Sequence, residues 1–143
     1  MEKEFLTYED ALALKELGYK EKCLASFYTY DIENFKKDKF DYRGKFNIDY
    51  SGEDDYVINT DKSYYVTTPL YPQAFRWFRE KGIYGEPTSD LSNNLEDRVF
   101  VYSSYSESGG YFVDRSEEYD TYEEAQLACL RKLIERLKQN KHE

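Results

Sequence analysis

Few of the side chains from which catalytic sites are usually built occur in this chain. It has one histidine, His142, beside the final residue; fraying there keeps a general base from being held in place, so a serine or cysteine nucleophile has no histidine partner. The two cysteines, Cys23 and Cys129, have neither the spacing of a metal knuckle nor that of a disulfide framework, and both are expected as buried free thiols. The densest carboxylate run, Glu53 to Asp55, lacks the alternating ligands and glycine of a calcium loop. "SGG" at Ser108 lacks the helix and lysine of a phosphate loop. With 29 acids a carboxylate pair for glycoside hydrolysis can always be found, so such a pair carries no information. No catalytic residue, metal or cofactor is expected. A metal-dependent nuclease assembled from scattered carboxylates and a lysine ranks third among the functional readings.

Two surface features remain. In "FRWFREK", Arg76, Trp77 and Arg79 put cations and an indole along one side of a helix. That composition suits a protein-interface hot spot or a stacking platform for a single-stranded base, against the plainer reading of a core-rimming tryptophan flanked by solvated arginines. The second feature is charge. Between Ile83 and Glu124 lie eleven acids and two bases, which accounts for the whole formal charge of −9 and leaves 18 of each sign elsewhere. Tyr105, Tyr111 and Tyr119 interleave there with Glu107, Asp114, Glu117, Glu118 and Asp120. Such a surface presents negative charge as a nucleic-acid backbone does and fits the basic groove of a nucleic-acid-handling protein, against the plainer reading of a solvated edge.

The elements that must position these residues are well punctuated. Thr7-Tyr-Glu-Asp-Ala and Thr121-Tyr-Glu-Glu-Ala are near-identical helix starts, and "LYPQA" at Leu70 is a degraded third. Each offers a cap: Thr7 with Asp10, Thr121 with Glu124, and Gln73 at the acceptor position behind Pro72. Gly18 and Gly82 stand where helices end in a left-handed residue. The last helix carries one apolar face from Tyr122 through Ala125, Cys129, Leu130, Leu133, Ile134 and Leu137. Between the helices, "CLASFYTYDI" from Cys23, "DYVINT" from Asp55, "SYYVTT" from Ser63, "RVFVYSS" from Arg98 and "GYFVD" from Gly110 read as strands, with "SESGG" as a hairpin loop. Residues 33–54 read either as a strand pair turning near Gly44 or as a loop.

The length of 143 residues suits one domain spanning 1–143. The expected fold class is α+β: three helices packed on one face of an antiparallel sheet, in the order helix, strands, helix, strands, helix. The 26 aromatic residues, 16 of them tyrosine, suit half-buried strands and binding faces. The opening "MEKEFLTYED" has no basic or apolar segment of a signal peptide, and no apolar run approaches bilayer length, so a cytoplasmic protein without a membrane partner is expected.

"ALALKELG", "PLYPQAFRWFREKG" and "TYEEAQLACLRKLIE", at the two ends and the centre, resemble a family of small proteins from Bacteroidetes-type bacteria and their phages and prophages. That family has no assigned activity, so the resemblance implies a setting and supplies no site residues. The leading expectation is a non-enzymatic accessory protein that binds and inhibits a host nucleic-acid-handling protein, as an anti-CRISPR or other anti-defence factor does. The partner would have a basic nucleic-acid groove, an RNA-guided nuclease being the concrete case. Direct RNA or DNA binding through Arg76, Trp77 and sheet aromatics ranks second, because net acidity repels phosphates.

Overall fold

The structure, a computed structural model, describes residues 2–28, 45–48, 58–59, 65–91, 98–107 and 114–141. The chain falls into two compact units, Met1–Gln73 and Ala74–Glu143. Their elements are a 3-10 turn at Glu2–Glu4, α1 (Tyr8–Glu16), β1 (Ala25–Tyr28), β2 (Lys45–Ile48), β3 (Tyr65–Thr68), α2 (Tyr71–Glu80), β4 (Ile83–Leu91), β5 (Arg98–Ser106), β6 (Asp114–Arg115) and α3 (Tyr122–Lys141). The α+β class and the order helix, strands, helix, strands, helix are as expected, with helices packed against strands. The strands form two antiparallel sheets, β2-β1-β3 in the first unit and β4-β5-β6 in the second.

The helix starts use the expected caps with one change of chemistry. Thr121 Oγ1 accepts from the Glu124 amide at 3.1 Å, and Gln73 Oε1 accepts from the Leu70 amide at 3.1 Å. At α1 the Thr7 hydroxyl accepts from the Asp10 amide at 3.4 Å and donates to Asp10 Oδ2 at 2.7 Å. The shorter aspartate thus bonds the cap's side chain. Gly18 and Gly82 both take positive φ, 96° and 76°. At Gly18 the Tyr19 amide bonds Leu14 O and the Gly18 amide bonds Lys15 O, which closes a Schellman motif.

In the first unit α1 packs on β3, and Phe5, Phe27 and Phe46 form a chain of ring contacts with centroids 5.4 and 5.7 Å apart. Register is Phe27 opposite Phe46 on one side and Val66 on the other. The expected strand "DYVINT" needs correction at its described residues: Ile58 and Asn59 lie outside any strand. Buried Asn59 instead donates from Nδ2 to Tyr19 O and accepts at Oδ1 from the Thr67 amide, both at 2.9 Å. Two backbone groups far apart in the chain are thus held by one buried amide side chain. Of residues 33–54, those at 45–48 form β2, which pairs with β1, and the others lie outside the described residues.

In the second unit α3 packs across β4 and β5. Strand β4 was not expected, because Gly85, Pro87 and Asp90 in "IYGEPTSDL" are the punctuation of a loop. Nine register pairs with β5 override that local preference. Among the described residues β4 is an edge strand, where proline is tolerated. A Cβ on Gly85 would lie 2.7 Å from Cys129 Sγ and 2.8 Å from Leu133 Cδ2, so the strand passes α3 at a distance only glycine permits. The expected apolar face of α3 is buried except for Tyr122, which is 42% exposed and meets Phe100 edge-on at 6.2 Å.

Candidate functional site

The described part of the predicted acidic surface is organised by β5, whose side chains alternate between two faces. Phe100 and Ser104 point to the α3 side, where Phe100 meets Tyr122 and Ser104 Oγ accepts from Arg136 Nε at 3.3 Å. Tyr105 points the other way. It stands directly opposite Tyr84 of β4, and the two rings stack with centroids 4.7 Å apart and planes 4° from parallel. The Tyr84 hydroxyl donates to Glu107 Oε1 at 2.8 Å. That hydrogen bond, more than burial, raises the Tyr84 pKa above its ordinary value. A Cβ on Gly82 would stand 3.1 Å from Glu107 Oε2, so the carboxylate also lies close against glycine backbone.

Tyr119 belongs to the α3 side. Its backbone exchanges two hydrogen bonds with Phe100, at 2.9 and 2.7 Å, and its ring stacks on Tyr102 with centroids 6.3 Å apart. The Tyr119 hydroxyl donates to Glu117 Oε1 at 3.4 Å. Ser116 locks the stretch along β5: its amide bonds Tyr102 O at 2.8 Å, and its hydroxyl accepts from the Tyr102 amide at 2.8 Å and donates to Glu117 O at 2.7 Å. Burial raises the Tyr102 and Tyr119 pKa values, with the Tyr119 charge next in weight for Tyr102 and the Glu117 charge next for Tyr119. Tyr102 and Tyr119 line an open groove of about 520 Å³ together with Glu124, Leu127, Ala128, Arg131, Lys132 and Glu135 of α3.

The sheet thus divides the predicted partner-binding set. Tyr105 and Glu107 share one face with Tyr84, and Tyr119 with Glu117 lies toward α3. Glu117, Glu118 and Asp120 are exposed, as are Glu86, Glu123 and Glu124. Asp114 lies in β6 opposite Ser104, and Tyr111 falls outside the described residues. Not every acid is available to a partner, since Asp90 is paired with Arg115. In the second patch Arg76 and Arg79 are exposed, but Trp77 is only 4% exposed, with Lys81 Nζ 5.2 Å from the centre of its ring. Burial removes the indole as a stacking platform, so the tryptophan is a core residue and the patch reduces to its cations.

No protein-family model, curated protein or solved structure matches this chain.

Both cysteines are fully buried free thiols. Burial, with a smaller effect of Glu86, pushes the Cys129 pKa up to about 12, the opposite of what a nucleophile requires. Among the described residues no three His, Cys, Asp or Glu side chains converge as a metal site, and no helix is long and apolar enough to cross a membrane. Glu53 to Asp55 and His142 fall outside the described residues. Sequence reasoning missed Tyr84, whose role follows from its register with Tyr105. It also missed the groove residues Leu127, Ala128, Arg131, Lys132 and Glu135. Their spacing along α3 is visible in the sequence, but the rings across from them are brought there by β5 and the Tyr119 bridge.

Proposed function

We propose that this protein acts by binding rather than by catalysis, as a phage or mobile-element accessory factor in the bacterial cytoplasm. It occupies the basic nucleic-acid groove of a host protein and so inhibits it, in the manner of an anti-CRISPR or other anti-defence factor. The observation that carries this reading is the concentration of the formal charge in residues 83–124, where Glu86, Glu107, Glu117, Glu118, Asp120, Glu123 and Glu124 are exposed among half-buried tyrosine rings. Carboxylates carried on and beside a tyrosine-bearing sheet compete for the lysines and arginines that hold phosphates, and tyrosine adds contact area at low entropic cost. The terminal and central sequence blocks that resemble the phage-borne family support the setting.

Capture of partners on the tagged protein from nuclease-treated host lysate tests the reading. A nucleic-acid-binding protein should be retained after nuclease treatment, and the purified pair should bind about tenfold or more weakly when Glu117→Gln, Glu118→Gln and Asp120→Asn are combined. Recovery of nucleic acid alone, lost on nuclease treatment, overturns it.

A further inference from the structure

The face of the second sheet that points away from α3 carries a more specific arrangement than charge alone. Tyr84 and Tyr105 are directly opposed across an antiparallel pair and stacked nearly parallel at 4.7 Å, so the two half-buried rings cover each other's inner faces and Tyr84, on the strand that is the sheet edge among the described residues, turns its flat outer face toward that edge. Glu107 is exposed, yet its carboxylate is oriented: Oε1 accepts from the Tyr84 hydroxyl at 2.8 Å, and Oε2 lies close to Gly82. Glu86, exposed and two residues beyond Tyr84 on the same strand, projects from the same face. A flat aromatic surface beside an oriented carboxylate is complementary to a planar cation that stacks through its face and donates through its edge. Arginine has that shape. Lysine, a compact and strongly hydrated point charge, gains little from the rings, and a phosphate is repelled by the carboxylate.

We propose that Tyr84, Tyr105 and Glu107 form a receptor for one arginine side chain of a protein partner, the guanidinium lying against the tyrosine pair and donating to the Glu107 carboxylate. The partner is assigned on the binding reading above, which this inference deepens. It makes an arginine, rather than basic charge in general, the residue the partner must present.

The test compares labelled arginine and lysine nonapeptides by fluorescence anisotropy on the isolated protein at one low salt concentration. The arginine peptide should bind wild type about fivefold more tightly than the lysine peptide. That ratio should fall to about one in Glu107→Gln and in Tyr105→Ala and persist in Tyr105→Phe, which keeps the ring. Glu107→Gln preserves shape, so its thermal melt should match wild type and separate lost recognition from lost folding. The triple variant at Glu117, Glu118 and Asp120 should weaken both peptides alike and leave the ratio intact. Equal affinity of the two peptides for wild type, or a ratio that survives both Glu107→Gln and Tyr105→Ala, overturns the receptor. The two proposals fail separately. A captured partner released by the triple variant but indifferent to Glu107→Gln refutes the arginine receptor alone, and a preserved ratio with no captured nucleic-acid-binding protein refutes the inhibitor reading alone.

Discussion

Asn59 shows how much of the first unit rests on single polar side chains. It is buried, and its amide satisfies the carbonyl of Tyr19 and the amide of Thr67. Asn59→Ala leaves both backbone groups unpaired in the interior, at about 1–3 kcal/mol for each, so the urea midpoint should fall by a correspondingly large amount. Cys129 makes a different prediction. Its thiol ionises near 9 ordinarily and is pushed up to about 12 in the folded chain, chiefly by burial. The unfolded state therefore loses this proton first as pH rises. The stabilisation is fully present below pH 9 and is lost progressively toward pH 12. Thermal melts should hold up to pH 9 and fall above it, and Cys129→Ala should lessen the slope. The raised pKa of buried Cys23 acts in the same direction, so part of the slope should remain. An unchanged alkaline slope in Cys129→Ala would show that the thiol does not contribute.

At the scale of elements, the contact of β4 with α3 is set by the missing side chain of Gly85. Alanine there would bring a methyl group to 2.7 Å from Cys129 Sγ and 2.8 Å from Leu133 Cδ2. Both are buried in the unit's core, so neither can swing aside into solvent. Gly85→Ala should destabilise by about 1–3 kcal/mol, and pairing it with Cys129→Ala should recover part of the loss, because the nearer obstacle is removed. Denaturant midpoints of the two single variants and the double variant check this. Full additivity would mean that the strand moves off the helix. The same element shows where local signals mislead. Glycine and proline mark a loop in most contexts, but here one meets the helix and the other lies on an edge strand.

Across the whole molecule charge is segregated more strongly than the two units alone suggest. The first unit carries 15 acids and 10 bases and the second 14 and 10, so each is moderately acidic. Within the second, residues 83–124 hold eleven of the acids and only two of the bases, while α2 and α3 carry most of the rest of the basic groups. A partner's positive groove is thus drawn to one part of the unit and repelled by another, which orients the encounter. For this reason three neutralised acids out of 29 are expected to weaken the complex measurably, and the loss should be largest at low salt, where screening is least. Affinity in the triple variant equal to wild type at low salt would remove the acidic edge from the interface.

From the sequence alone came whatever depends on neighbours in the chain: the Thr7, Gln73 and Thr121 caps, the glycines that end α1 and α2, the apolar face of α3, the β5 strand and the concentration of acid between Ile83 and Glu124. Caps, helical periodicity and charge runs are local, and their physics operates over a few residues. Tertiary structure decided what depends on pairing across long separations. The register of β4 against β5 brought Tyr84 onto Tyr105 and carried Glu107 beside both. The alternation of β5, with Tyr119 bridged to Phe100, put Tyr105 and Tyr119 on opposite sides of the sheet, and burial decided between the two readings of Trp77, core-rimming residue or stacking platform, in favour of the core. A tyrosine at a given position has the same composition whether it stacks, packs or faces water, and only the partner strand selects among these.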